Sequence, residues 1–430
     1  MSIVMYNTTD INVMESVTTT STPSLRGTTA KALKLSNRTT TQSKVYKPRT
    51  NQTHKTVKPK SKLNTNADGG MAKQINEKKF HVKKKYLLPI HHYTSGPNYN
   101  YEHFRIAVLF ALYMDRSIVE KRFHTHYTQN HSRAGWKFLN ETFDVDELQN
   151  IVDVTSIDEF KRNCNNTASL VITFFLDVAT RPDPAKTYQQ HVELYKKEYG
   201  IHSPDWSNVT FITNANETIT SLAQEQCLGI YMPSDFKGLQ FPEKLALVHR
   251  VDLHLIRPNR VRAMANVVKR VVFQEQSYIA VHFRTKTEEG CRNNKTHCDP
   301  LMVAGMERAA MDLTEDLCTL MSRRNVSAMY VALPIYAKKY KQIFQKKITN
   351  VFSAEDIIAL PSISPLKDDN YVISLLEQEL SIRAKLFISW VRSSWSHMVV
   401  LQREVHSKET INISTLPGWD TNKLKLVKRK

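Results

Sequence analysis

The chain has 430 residues, 41% of them hydrophobic, and a formal net charge of +19. That length exceeds one compact core and predicts two domains with extensions. Residues 1–85 hold 17 Lys/Arg against four acids, which is thirteen of the nineteen charges, so the remainder carries only six and its composition does not mark a nucleic-acid binder. Five cysteines are too few for a disulfide scaffold and too irregularly spaced for a zinc site. Cys291 and Cys298 stand close enough to close a small loop, Cys318 competes for either, and the odd total leaves at least one thiol free. Glycosylation sequons occur at Asn7, Asn37, Asn51, Asn130, Asn140, Asn165, Asn208, Asn216, Asn294, Asn325 and Asn412, a weak pointer to a secretory context in a chain rich in Asn and Thr. No run of about 18 apolar residues occurs, so no transmembrane helix is expected. The start, Met1 to Thr20, lacks the basic and then apolar pattern of a signal peptide, so a secretory role would imply an earlier start or another route of entry.

In chain order, residues 1–82 are rich in Ser, Thr, Lys and Asn and predict a disordered basic segment: a solvated linker, a stalk, a targeting arm or a polyanion binder. Order is expected from a first strand at Tyr86–Ile90, with Pro89 suited to an edge or to the strand's end. A Gly/Asn turn (Thr94 to Glu102) follows, and then a helix over 102–117 whose buried face is Phe104, Ala107, Val108, Ala111 and Leu112. Such a helix N-terminus offers free amides to an anion. His124, His126 and His131 have no carboxylate or cysteine in register and read as surface histidines. A strand is expected at Ser169–Phe175, and the Pro-rich region 178–250 completes the first domain, with a boundary near 250–262.

The second half alternates strand and helix. The strand Tyr278–Arg284 puts His282 and Arg284 on one face at its carboxyl end, where open α/β sheets bind ligands. Asp299-Pro300 opens a helix ending near Asn325, followed by a strand at Ala328–Leu333, a basic helix from Lys338 and a short strand at Asn350–Phe352. A helix from Asp369 to Arg383, a strand at Leu386–Trp390 and a helix opening at Ser393 complete it. This order implies a parallel sheet with right-handed crossovers. Arg284 and the hydroxyls of Ser393 and Ser394 are groups fit for a phosphate.

Tyr-Ile-Ala-Val-His-Phe-Arg (278–284), Arg383 to Ser396 closing on Arg403, and Gly96-Pro97-Asn98-Tyr99-Asn100 together resemble the GDP-fucose-dependent O-fucosyltransferase superfamily, protein O-fucosyltransferases above all. Glu377-x-Glu379 also fits that family's helix before the Phe-Ile strand. The resemblance implies an α/β fold of two facing Rossmann-like domains of the GT-B type: 83–255 on the acceptor side and 256–415 on the GDP-sugar side, with a basic tail at 416–430. It also implies inverting, metal-independent transfer of fucose from GDP-fucose to a hydroxyl of a protein or glycan, with no cofactor, no specific nucleic acid, a monomer, and a place in the secretory pathway. In residues, it implies Arg284 on the β-phosphate, His282 on sugar or nucleotide, Ser393 and Ser394 on phosphates, Asn98 or Asn100 near the sugar, and Gly96 allowing close backbone approach. Glu102, Glu288 and Glu289 are the candidates for acceptor contact or base. The chain departs from the family pattern at Pro97, at Ser389 in place of glycine, and at Leu333-Pro334 in place of a Thr-Asp pair. A catalytically silent GDP-sugar or glycan binder, or a polyanion binder acting through the tail, are the competing expectations.

Overall fold

The computed structural model of the chain describes residues 83–90, 96–124, 136–174, 183–212, 222–231, 244–284, 300–334, 337–391 and 393–419. The expectations for the 1–82 segment, for Cys291 and Cys298, for Glu288 and Glu289, and for His126 and His131 lie outside the described residues.

Two wholly parallel sheets form the frame. The first contains β1 (Tyr86–Ile90), β2 (Ser117–Val119), β3 (Val154–Thr155), β4 (Leu170–Phe174), β5 (Thr210–Ile212) and β6 (Cys227–Tyr231), in the order β3-β2-β1-β6-β4-β5. The second contains β7 (Tyr278–His282), β8 (Ala328–Ala332), β9 (Asn350–Phe352), β10 (Leu386–Ser389) and β11 (Thr410–Asn412), in the order β11-β10-β7-β8-β9. The helices are α1 (Pro97–Tyr113), α2 (Leu139–Thr142), α3 (Val145–Gln149), α4 (Ile157–Asn163), α5 (Pro184–Tyr199), α6 (Lys244–His254), α7 (Asn259–Val271), α8 (Pro300–Arg323), α9 (Lys338–Gln345), α10 (Ala354–Ile358), α11 (Asn370–Arg383) and α12 (Ser394–Val405). This is the α/β architecture of two Rossmann-like halves that the resemblance implies.

Strand periodicity sorts the core. Along β7, Tyr278 and Ala280 face one apolar layer and Ile279 and Val281 the other, as successive side chains of a strand must. The first of these layers is continuous from Leu87 of β1 through α1, α6, α7, α11 and α12 to Tyr330 of β8, so both sheets bury their inner faces in one shared core. Within it the Arg105 guanidinium of α1 meets the Asp252 carboxylate of α6 in a buried two-pronged contact. Gln402 of α12 donates to the Asp252 carbonyl at 2.7 Å. Helices from the two halves are thereby pinned together.

Local signals in the second half match the observed elements. Ser393 caps α12 and Asp369 caps α11. β1 is interior to its sheet, and Pro89 stands at the strand's end, the second of its two expected places; β2 pairs only with Tyr86 and Leu87, so the missing amide takes nothing from that ladder. Two elements differ from expectation. α1 starts at Pro97 rather than at residue 102, with Pro97 in the first helical position, so the Gly/Asn turn is itself helix. α5 lies inside the proline-rich region 178–250, for which no helix was predicted; Asp183 caps it, Pro184 opens it and Gly200, at φ +67°, closes it.

Cys164 and Cys227 form a disulfide joining the end of α4 to β6 across 63 residues, and Cys318 is the free thiol among the described residues. Past residue 415 the described chain remains anchored. The Gly418 amide donates to Asp316 at 2.6 Å, and a Cβ there would meet the Asp312 carbonyl at 2.6 Å, so only glycine fits. Trp419 packs edge-on against Trp390, with ring centroids 5.0 Å apart. No described helix is long and apolar enough to cross a membrane.

Candidate active site

β7 ends at His282, two residues short of the predicted Arg284, which lies just past the strand. His282 is 6% exposed, and its Nδ1 lies 2.7 Å from Ser396 Oγ of α12. That hydroxyl oxygen also accepts from the Trp390 amide at 2.9 Å, which ties His282 to the end of β10. Burial, and then the nearby Arg284 charge, push the His282 pKa down to about 3, so the ring is neutral at physiological pH. Trp395 covers it with ring centroids 4.4 Å apart. Arg284, half-buried, reaches the same cavity.

The two serines at the start of α12 divide their labour. Ser393 is 4% exposed and its hydroxyl accepts from the Ser396 amide at 3.5 Å, so it serves as the helix cap and does not line the cavity. Ser394, the first helical residue, does line it, beside amides that no helix carbonyl can reach.

From the first half, Gly96 and Asn98 line the cavity. Gly96 has φ −60°, an ordinary value, and an added Cβ would meet nothing within 4 Å, so the space before it is the cavity itself. Asn98 is fixed by Gln378 of α11, whose amide donates to Asn98 Oδ1 at 2.7 Å. Gln378 Oε1 in turn accepts from Arg257, a buried guanidinium lying 5.0 Å from the Tyr101 ring centre. Asn100 points elsewhere. Two positions along a helix are about 200° apart, so Asn98 and Asn100 cannot share a face. Asn100 is fully buried, and its carbonyl accepts from Lys121 at 3.4 Å. That lysine sits over Phe104 and Phe123, and burial holds its pKa well below the ordinary value. Glu102 does not line the cavity; it approaches His397 of α12 at 3.6 Å.

The cavity encloses about 410 Å³ between the two halves, beyond the carboxyl ends of β7, β8 and β10. Asn370, Ser374 and Glu377 line it from α11 at spacings of four and three, one helix face. Ser374 Oγ accepts from the Trp395 indole at 2.9 Å. Glu377 Oε1 accepts from the Tyr330 hydroxyl at 3.0 Å, and burial pushes the carboxyl pKa up to about 8 against the smaller opposing pull of that bond. Lys338, Lys341 and Lys367 add cations to the wall; Lys338 pairs with Glu355, and Lys341 with Asp356 at 2.7 Å. Glu377 and Trp395 are quoted in the family motif but given no role by it. The available signal was a polar stripe at helical spacing inside an otherwise apolar helix. Among the described residues no three His, Cys, Asp or Glu side chains cluster as a metal site.

No protein-family model matches the chain, and no curated protein matches it. Among solved structures it is similar to POFUT1 in complex with GDP, at 13% identity over 77% of this chain and 99% of that one, with a TM-score of 0.49. It is also similar to a mutant of Arabidopsis thaliana FUT1 in complex with GDP, at 11% identity over 74% of this chain and 68% of that one, with a TM-score of 0.41. NodZ, an alpha-1,6-fucosyltransferase co-crystallised with GDP, is similar at 12% identity over 74% of this chain and 92% of that one, with a TM-score of 0.40. Likeness at these values carries no activity or substrate across to this chain.

Proposed function

We propose that the chain is a glycosyltransferase that moves fucose from GDP-fucose to a hydroxyl of a protein or glycan. One observation carries this reading: Arg284, His282 and Ser394 from the second half and Gly96 and Asn98 from the first, 278 to 284 and 96 to 98 being segments that resemble the fucosyltransferase motifs, open onto one cavity. A nucleoside diphosphate is well held by a guanidinium, helix-start amides and a hydroxyl, and Arg284, the start of α12 and Ser394 offer these to the cavity.

In this reading the Arg284 fork holds the β-phosphate, where negative charge grows as the bond to the sugar breaks, and Ser394 with the α12 amides holds the neighbouring oxygens. Neutral His282 makes a hydrogen bond to sugar or nucleotide. Asn98, held still by Gln378, orients the sugar from the opposite wall. Glu377 at neutral pH is largely a protonated acid and can donate one hydrogen bond and accept others without repelling a diphosphate. Transfer proceeds with inversion, without a metal, and in the monomer.

The test is a thermal-shift titration with GDP, followed by turnover of GDP-fucose on a peptide and glycan panel. GDP should raise the melting temperature, Arg284→Ala should abolish the rise, and turnover by that variant should fall roughly 10²–10³-fold. Turnover should survive a chelator, and the product should have the inverted anomeric configuration. No response to GDP, with Arg284→Ala indistinguishable from the parent chain, overturns the reading.

A further inference from the structure

The described sequon asparagines, Asn140, Asn165, Asn208, Asn325 and Asn412, are all exposed. Three of them share a place in the topology. Asn165 stands just before β4 (Leu170–Phe174), Asn208 just before β5 (Thr210–Ile212) and Asn325 just before β8 (Ala328–Ala332). Because every strand pair is parallel, the chain entering a strand always lies at the sheet's amino edge. The cavity lies beyond the carboxyl edges, past His282 and Ala332 of the second sheet and against Gly96, Pro97 and Asn98, which follow the carboxyl end of β1 in the first. The three asparagines are therefore at the far end of their sheets from the candidate active site.

We propose that Asn165, Asn208 and Asn325 carry N-linked glycans, which coat the amino edges of the sheets and leave the cleft open. Turn geometry explains part of the pattern only. Asn165 and Asn325 both adopt φ +50°, a left-handed conformation that asparagine tolerates better than most residues. The Thr167 hydroxyl serves the first of these turns by donating to the Asn165 carbonyl at 3.1 Å, but Asn208 is not left-handed, and Thr210 and Ser327 still complete their sequons. An independent feature agrees on the compartment: the Cys164–Cys227 disulfide, immediately before Asn165, belongs to an oxidising lumen.

The modification needs a polyprenyl-diphosphate-linked oligosaccharide as co-reactant. The asparagine amide nitrogen forms a bond to C1 of the first sugar, the C1–oxygen bond to the diphosphate breaks with its electron pair leaving on the lipid diphosphate, and one amide proton is released.

The full chain, brought into the secretory lumen of cultured animal cells by a cleavable leader, provides the test. Enzymatic deglycosylation in heavy-oxygen water should leave labelled aspartate at positions 165, 208 and 325 in the peptide masses. Any of the three recovered only as unmodified asparagine overturns its assignment. Thr167→Val, Thr210→Val and Ser327→Ala keep each asparagine while removing the sequon. Each should delete one step of the partial-deglycosylation ladder, and a ladder unchanged by all three overturns the proposal. Thr167→Ser, which keeps both the sequon and the hydroxyl donated to the Asn165 carbonyl, should leave the ladder intact. Recovery of Cys164 and Cys227 as free thiols from the unreduced chain also counts against it.

Discussion

His282 and Glu377 face one cavity, and burial drives both toward their neutral forms: the imidazole by lowering its pKa to about 3, the carboxyl by raising its own to about 8. The consequences for stability have opposite signs. The folded chain keeps the Glu377 proton that the unfolded chain gives up, so this group's contribution is full below the ordinary 4.5, falls as pH rises and is lost by about 8. Glu377→Gln should erase that fall in melting temperature with pH. It should also retain GDP binding above pH 8, where the parent chain, now bearing a carboxylate beside the diphosphate, binds more weakly. His282 behaves conversely: its contribution is complete above the ordinary 6.5 and is lost as pH falls toward 3, so acid destabilisation in that window should flatten in His282→Asn. Neither protonation state was legible in the sequence. His282 was visible as a strand-end residue, but Ser396, which hydrogen-bonds its Nδ1, and Tyr330, which partners Glu377, are placed by packing.

Among elements, α12 shows how a fold and a site can use adjacent residues differently. Ser393 is the cap and Ser394 opens to the cavity. Ser393→Ala should cost about 1 kcal/mol of stability in chemical denaturation. Ser394→Ala should leave stability within about 0.5 kcal/mol, as surface changes do, and weaken GDP binding instead. The start of α1 has a similar division. The motif 96–100 was legible as a unit, but not that it is helical, and its helical form is what sends Asn98 to the cavity and Asn100 into the core beside Lys121. Asn100→Ala is therefore expected to lower stability alone, whereas Asn98→Ala should lower turnover and also cost roughly 1–3 kcal/mol, because it removes the acceptor of the buried Gln378 amide.

For the whole molecule, the two halves are joined through a common core and through the buried relay Arg257–Gln378–Asn98, so the geometry of the cavity depends on how the halves pack. The Cys164–Cys227 bond acts at the same scale by closing a 63-residue separation within the first half. Replacing both cysteines by serine should lower stability by roughly 2–5 kcal/mol, read from the shift in denaturation midpoint. That pairing was not legible, because nearness in sequence favoured Cys291 and Cys298 while the bond forms between positions that only the β1–β6–β4 sheet brings together. Periodicity, caps and breakers act over a few residues, and so the sequence by itself determined the alternation of strand and helix in the second half and the residues that stand at the strand ends. Packing between distant segments has no local pattern to read. The tertiary structure alone decided that Arg284, Ser394 and Asn98 open onto one cavity, that Asn100, Ser393 and Glu102 do not line it, and that Glu377 is held there as an acid.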